Sequence, residues 1–296
     1  MNRVTKGNRA KLFLIISMTV FGTIGIFRRY IPLPSGLLAF ARGALGMLCL
    51  LIFIYASGNK LSLKAIRSAL PVLCISGGLI GFNWILLFES YRFTTVATAT
   101  LCYYMAPVFV VLVSPFFFKE KLTLKKLLCV AAALLGMVFV SGVLGIGFSG
   151  TGELVGVALG LGAAILYATV VVLNKKTVGV PALDKTVIQL GSAAVVVLPY
   201  TLLAEDFSSV TVTPIAILML VLVGVLHTGV SYALYFGSMD HLKAQTVALF
   251  SYIDPVVAII LSAVMLKEKM GLLGTVGAVL ILGSTLVSEL DFKSQK

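Results

Sequence analysis

The chain has 296 residues, of which 59% are hydrophobic and only 11% carry a charge, and its mean hydropathy is +1.09. Soluble domains carry about 25% charged residues, so this composition excludes a soluble globular fold and predicts a membrane protein. The net charge of +12 is distributed over short segments between apolar runs. This distribution excludes nucleic acid as a partner and indicates charges that orient the chain in a lipid bilayer.

Ten apolar segments follow one another along the chain, and each can cross a hydrocarbon core of about 30 Å as a helix. Their predicted bounds are 11–27, 34–56, 69–89, 94–118, 124–142, 152–173, 185–204, 214–238, 243–266 and 270–289. The predicted fold class is therefore all-α and polytopic, with ten transmembrane helices and no room for a soluble catalytic domain.

The first apolar run imitates a secretory signal, because it follows a basic stretch that begins at Arg3. It lacks a small-residue cleavage motif and ends at Arg28-Arg29. The run is therefore predicted to be a retained first span.

The distribution of Lys and Arg predicts the orientation of the ten spans. With the N-terminus in the cytoplasm, the inside segments hold 17 of these residues and the outside loops hold 5, with Arg42 alone inside a span. Because Lys and Arg accumulate on the cytoplasmic side, both termini are predicted to be cytoplasmic in the cell (plasma or inner) membrane. The four cysteines lie inside apolar runs without metal-ligand spacing, so no metal or other cofactor is expected.

The two halves of the chain repeat one another. A shift of 148 residues places Asn83–Lys121 on Ser231–Lys269 with 12 of 39 positions identical, including Pro107/Pro255 and a shared Lys-Glu-Lys. The predicted units are residues 1–148 and 149–296, each with five spans. Because five is odd, the second unit is predicted to be inverted relative to the first, as in alternating-access transporters.

These features resemble the drug/metabolite transporter superfamily, specifically its ten-helix EamA type. The resemblance covers nearly the whole chain and is most specific in the two Tyr-x-x-Pro-Val stretches, Tyr104 to Val108 and Tyr252 to Val256, each followed by Lys-Glu-Lys. The small-residue sixth span, Gly152 to Asn174, and Arg42 also fit, whereas family members often carry Trp where this chain has Phe21. The resemblance implies a secondary transporter, often an exporter, of amino acids, metabolites, drugs or sugar derivatives.

Two prolines lie at equivalent positions inside apolar spans. Pro107 and Pro255 cannot donate to the carbonyls of Tyr103 and Ser251. The freed carbonyls indicate either two kinked packing helices or two helix breaks that line a binding site.

Two charges of opposite sign lie deep in predicted spans. Asp254 is about 16 Å into span nine and Arg42 about 12 Å into span two, at 1.5 Å per residue. A charge at that depth is expensive, so both are candidate substrate-binding residues. Arg42 can take a carboxylate and Asp254 an ammonium or a proton, but the alternative is that they pair with each other or with Glu89.

Two further titratable residues are candidates for proton coupling beside Asp254. His227 lies near the middle of span eight and can relay a proton, or it is a hydrogen-bonded core residue. Glu89 ends span three near the outer face, where an interfacial pair with Arg92 or Arg28 is the alternative.

Aromatic residues near the middle of the spans complete the candidate site. A pocket with aromatic walls and a few placed polar groups suits a small organic solute. The predicted substrate-binding set beside Arg42 and Asp254 comprises Asn83, Trp84, Tyr103, Tyr104 and Tyr252. Residues Gly152, Gly156, Gly160, Ala164 and Ala168 form a small-residue stripe that predicts close helix packing.

The sequence therefore predicts a non-enzymatic secondary transporter that moves small organic metabolites, with amino acids or related amines as the expected class, around a midplane cavity. A proton is the candidate coupling ion, and a monomer in the lipid bilayer is the expected functional unit. The alternatives are a polytopic enzyme acting on lipid and a channel or scaffold without transport.

Overall fold

A computed structural model describes residues 3–28, 30–94, 99, 102–141, 151–207, 212–265 and 272–289. The first half contains α1 (Arg3–Gly22), α2 (Ile24–Arg28), α3 (Ser35–Ala56), α4 (Leu63–Phe93), α5 (Ala106–Phe118) and α6 (Leu124–Ser141). The second half contains α7 (Thr151–Lys176), α8 (Ala182–Ala204), α9 (Pro214–Leu222), a π-helical segment (Val223–Val230), α10 (Ser231–Met239), α11 (Ala244–Phe250), α12 (Ile253–Met265) and α13 (Leu272–Glu289). Where helices that follow one another along one path are counted together as one rod, these elements form ten rods in the predicted order. This confirms the all-α fold class.

Within the described residues, five helices are long and apolar enough to cross a membrane by length and composition. They are Ser35–Ala56, Leu63–Leu87, Leu154–Lys176, Ala182–Ala204 and Pro214–Met239. Large apolar side chains cover the outside of the bundle, among them Phe116 at 85% and Leu203 at 87% exposure. Lipid is a solvent in which such a surface is stable, whereas water is not.

Three of the described rods, the first, the fourth and the ninth, are interrupted by a break or turn. The first breaks at Thr23, whose hydroxyl donates to the carbonyl of Val20 at 2.7 Å. The fourth turns at residues 104–105 before α5, which carries Pro107 in its first turn, and the ninth turns at residues 251–252 before α12 and Pro255. Both prolines thus occupy helix N-termini, where a missing N–H leaves no bond unmade.

Small residues set the helix spacing. A Cβ at Gly156 would lie 2.7 Å from the Thr94 side chain, and one at Gly160 would lie 2.8 Å from Cys102 Cβ. Therefore α7 can approach the end of α4 and the start of the fourth rod this closely only because glycine is present at these positions, as the small-residue stripe predicts. Ala164 and Ala168 continue the buried stripe.

The polar contacts between helix ends sort into two faces of the bundle. On the face where α1 begins, called the N-terminal face below, Ser62 N donates to Asp184 Oδ2 at 2.9 Å. On the opposite face, Gly36 N donates to Glu205 Oε1 at 2.6 Å. Helix ends thus alternate between the faces, as successive crossings require.

Candidate functional site

An aromatic cluster occupies the interior where the interrupted rods meet. Its ring pairs have centroids between 5.3 and 6.3 Å apart, mostly in edge-to-face geometry. Its members are Phe21, Trp84, Tyr103, Tyr104, Tyr167, Tyr232, Tyr235 and Phe236. Six phenol or indole groups therefore face one another across four or more spans, which gives an apolar wall with polar edges.

Arg42 lies beside this cluster on α3 and is 7% exposed. Its guanidinium carbon is 5.0 Å from the centre of the Trp84 ring, a cation–π contact. Its Nε donates to Thr228 Oγ1 at 3.2 Å. One edge of the guanidinium is thus anchored, and neither of these contacts neutralises its charge.

Asp254 approaches the same cluster from the first turn of α12. The Tyr104 side chain lies within hydrogen-bonding reach of its carboxylate, and the positive end of the helix dipole favours an acid at this position. Both Asp254 and Arg42 lie within electrostatic range of the Tyr232 phenol. Among the described residues neither Arg42 nor Asp254 forms an ion pair, so two opposite charges face the cluster without neutralising each other.

The two halves of the chain meet at equivalent residues here. Tyr252 Oη donates to the carbonyl oxygen of Tyr104 at 3.4 Å, and these two tyrosines are repeat mates. A residue that contacts its own mate lies close to the axis relating the repeats. The candidate site is therefore at the repeat interface, and Tyr252, 0% exposed, helps to build it.

His227 lies in the π-helical segment, behind Arg42. Its Nε2 is 2.7 Å from Thr23 Oγ1, and its ring meets Phe27 edge-on at 4.7 Å. In the same segment, Thr228 Oγ1 donates to the carbonyl of Val223 at 3.0 Å and accepts from Arg42. A π-helical turn in mid-span thus places two polar side chains where a regular helix would not, a feature common at functional sites.

Two of the sequence candidates lie away from the charged pair. Asn83 is 1% exposed and donates from Nδ2 to the carbonyl of Ala163 at 2.6 Å, so its amide joins α4 to α7. Glu89 lies at the face of the bundle opposite the N-terminal face, where it accepts from Arg92 Nη1 at 3.0 Å and from the Tyr200 hydroxyl. Glu89 is therefore in the interfacial pair that the sequence offered as its alternative.

A second cluster of polar contacts lies at the N-terminal face, around residues 239–245, which connect α10 to α11. Lys185, 1% exposed, forms a 3.1 Å ion pair with Asp240. Lys175 Nζ donates to the carbonyl of Met239 at 3.2 Å and to that of Leu242. Two lysines from α7 and α8 thus hold one short connection.

Glu120, just beyond α5, holds the same connection from the first repeat. Its two carboxylate oxygens accept from the backbone N–H groups of Ala244 at 2.8 Å and Gln245 at 3.3 Å. These N–H groups belong to the first turn of α11, so the carboxylate caps that helix from another span. We call Glu120, Lys175, Lys185 and residues 239–245 the N-terminal lock.

The pattern of a two-repeat transporter also matches a known family model. The model described as the EamA-like transporter family matches residues 8–142 and 154–289. The chain belongs to the EamA-like transporter family. This membership makes it a multi-pass membrane transporter built from two EamA repeats, as the sequence predicted.

The EamA-like chain is similar over nearly its whole length to proteins named as transporters. It is 30% identical over 280 residues to "Uncharacterized transporter YxxF" of Bacillus subtilis (strain 168), covering 92% of this chain and 86% of that one. It is 25% identical to "Uncharacterized transporter" of Archaeoglobus fulgidus, covering 93% and 94%. A solved crystal structure has the same fold, with a TM-score of 0.84, 21% identity, and coverage of 95% and 98%.

Sequence reasoning missed several contacts of this EamA-like protein. Tyr167, which stacks on Tyr235 at 6.3 Å and 16°, was not singled out, although it is the one phenol on the small-residue sixth span. Thr228 carried no signal, because a lone threonine in an apolar run is common. Lys175 and Lys185 were counted only as charges that orient the chain.

Proposed function

We propose that this EamA-like transporter carries a small zwitterionic solute, an amino acid or related amine, by alternating access around the aromatic cluster. The observation that carries the proposal is a pair of opposite charges, the buried Arg42 and the half-buried Asp254, which face one cluster and form no ion pair with any described residue. Burying a charge is costly, and a ligand of opposite sign recovers part of that cost. A solute with both charges can satisfy both residues at once.

Arg42 is the proposed carboxylate partner. Its Nε is engaged by Thr228, which leaves the two terminal nitrogens for a carboxylate. The Trp84 ring fixes the plane of the guanidinium. This arrangement suits oriented recognition of a carboxylate, which a flexible ammonium side chain would not provide.

Asp254 is the proposed partner for the solute ammonium, or for a coupling proton when the solute is absent. Tyr104 orients its carboxylate, and the Tyr104–Tyr252 contact ties that orientation to the repeat interface. A change in occupancy at Asp254 is thus transmitted to both halves. His227, bonded to Thr23, is a secondary candidate for moving a proton.

The aromatic rings supply a wall for the solute's apolar part. Tyr103 and Tyr104 are only half-buried, while Tyr232 and Tyr235 are 7% and 1% exposed. Rings this close together leave their faces available to an apolar or aromatic side chain once they separate. The proposal therefore favours neutral amino acids with apolar side chains.

The N-terminal lock is the proposed gate on the cytoplasmic side. It links α5 of the first repeat to the 239–245 connection of the second, so opening that face requires its release. By the inverted repeat, Lys267-Glu268-Lys269 is the proposed counterpart on the outside. The proposed direction is export, which follows the resemblance to the wider superfamily, and the proposed functional unit is a monomer.

Competition assays in proteoliposomes test the solute class. The purified protein exchanges a labelled neutral amino acid, and the competitors are that amino acid, the amine without its carboxylate and the acid without its amine. Both one-charge analogues should compete at least about tenfold more weakly, because each leaves one of the two charges, Arg42 or Asp254, without a partner. Equal competition by a one-charge analogue would contradict the zwitterion proposal.

Variants of the two charges test their roles. Asp254→Asn should fold and insert but lose transport or its pH dependence, while Arg92→Gln, whose side chain is 70% exposed, should transport normally. Folded Asp254→Asn protein with unchanged transport at every pH would eliminate Asp254 from the mechanism. Loss of folding in Asp254→Asn, with transport retained in Arg42→Lys, would support a purely structural role for both charges.

A further inference from the structure

A cavity of about 310 Å³ opens between α1, α8 and α10, away from the aromatic cluster. On α10, Tyr232 and Tyr235 point into the interior, whereas Ala233, Leu234 and Gly237 line this cavity. The cavity therefore lies on the outer side of α10, where the bundle meets lipid. It takes no part in the proposed solute path.

Basic side chains gather at one end of the cavity. Lys6 and Arg9 come from the start of α1, and His241 comes from the connection that follows α10. Lys6 and Arg9 form no ion pair with any residue in the described ranges. The carboxylate of Asp240, next to His241 in the chain, is engaged by Lys185 at 3.1 Å, so no described carboxylate pairs with the positive charge at this end.

The rest of the cavity is apolar. Phe13 lies seven residues beyond Lys6 on the same face of α1, about 10 Å deeper along the helix. The facing wall is Leu183 on α8 and Leu234 on α10. The Arg9 guanidinium lies 5.2 Å from the Phe13 ring centre, so the charged end and the apolar end are continuous.

We infer that this groove is a binding site for an anionic phospholipid, with the headgroup phosphate at Lys6, Arg9 and His241 and an acyl chain along Phe13 and Leu234. The charges lie at the N-terminal face, and the apolar walls run inward from them, which is the order of groups along a phospholipid in a leaflet. A soluble anion would use only the charged end. A basic groove between helices at the cytoplasmic side is suited to anionic headgroups.

Such a lipid would contact both α1 and α10 and hold the two helices together. These two helices pack directly against each other, and they also carry Phe21 and Tyr232 of the aromatic cluster, which meet at 5.3 Å. Bound lipid thus stabilises the helix pair from outside while the solute contacts it from inside. The inference does not depend on the identity of the solute.

Thermal unfolding of the purified full-length protein in detergent tests the inference, with native mass spectrometry to count bound lipids. Phosphatidylglycerol should raise the melting temperature, whereas phosphatidylcholine with the same acyl chains should not. Lys6→Gln combined with Arg9→Gln should require about thirty-fold more phosphatidylglycerol for the same shift, since each surface cation contributes about fivefold. The matched control, Lys60→Gln with Lys64→Gln, removes two exposed cations outside the cavity and should behave as the wild type.

A steric variant keeps the test decisive if the double variant does not fold. A Cβ at Gly237 would lie 3.4 Å from Ala182 Cβ, an ordinary contact, so Gly237→Leu should fold while its side chain fills the groove. This variant should lose the phosphatidylglycerol shift without losing any charge. Equal shifts from both lipids, equal shifts in the control and the charge variants, or protection by glycerol 3-phosphate alone would each overturn the lipid site.

Discussion

Replacing Glu120 with Gln perturbs the N-terminal lock at the member that the first repeat supplies. Both Glu120 carboxylate oxygens accept from the first turn of α11, at 2.8 and 3.3 Å. Glutamine keeps the shape of the side chain but offers one acceptor oxygen and no charge. We therefore expect the closed state of this face to be weakened while the fold is retained.

The magnitude follows from the two interactions that are lost. One backbone hydrogen bond contributes about 1 kcal/mol, and a charge at a half-buried helix N-terminus contributes about 0.3–2 kcal/mol. A total of about 1–3 kcal/mol changes the ratio of open to closed protein by about 5-fold to 150-fold.

Cysteine accessibility measures this ratio. In a background without the four native cysteines, Ala248→Cys places a thiol on α11 at a position that is 3% exposed. Its labelling by an impermeant maleimide applied to the N-terminal face should be faster by that factor in Glu120→Gln. The matched variant is Glu268→Gln, the repeat mate, which lies outside the described residues.

Because the second repeat is inverted, the two variants should change the labelling rate of residue 248 in opposite directions. Glu268→Gln should favour opening at the other face and therefore slow the labelling of residue 248 from the N-terminal face. General destabilisation would instead accelerate labelling in both variants. Acceleration in both, or no change in Glu120→Gln, would refute the assignment of this lock as a gate.

Three further predictions concern the solute site, the packing and the topology. Arg42→Lys should still fold but bind the solute at least about tenfold more weakly, because a lysine lacks the bidentate fork; unchanged affinity in a binding titration would argue against carboxylate recognition. Gly22→Ala should lower the unfolding free energy by about 1–3 kcal/mol, because its Cβ would lie 2.6 Å from the carbonyl oxygen of Asp254 and 2.7 Å from Val257 Cβ. Gly7→Ala, with no atom within 4 Å of the added Cβ, is its control, and equal melting temperatures would be inconsistent with that close approach. Single cysteines labelled from outside should react at residue 147, which lies outside the described residues, but not at residues 60 or 179; the reverse pattern would invert the proposed orientation.

Sequence reasoning predicted the rods well and their ends less well. The first span was predicted as 11–27, yet α1 begins at Arg3 and the rod breaks at Thr23. Hydropathy reports the apolar stretch, whereas a helix continues past it because Lys and Arg side chains reach the interface. At the break, the Thr23 hydroxyl bonds both the carbonyl of Val20 and the ring of His227, 204 residues away, and the second contact cannot be read from the local sequence.

The interruptions of spans four and nine were more predictable. Pro107 and Pro255 each lack the N–H that a continuous helix needs, and each lies in the first turn of a new helix. The π-helical segment was not predicted, because Val223–Val230 has no proline or other residue that marks it. Its geometry depends on packing against α3, where Gly46 lets Thr228 approach.

The sequence by itself determined the ten-span class and the two repeats, and it predicted the depth of Arg42 and Asp254, because hydropathy, identity and position are properties of the chain read in one dimension. The tertiary structure alone decided the partners of those charges. Among the described residues, Arg42 meets Thr228 and Trp84 instead of a carboxylate, Asn83 joins two helices through Ala163, and Glu89 pairs with Arg92 and Tyr200. In a bilayer every buried polar group must find a partner within the protein, and which partner is nearest depends on how the rods cross.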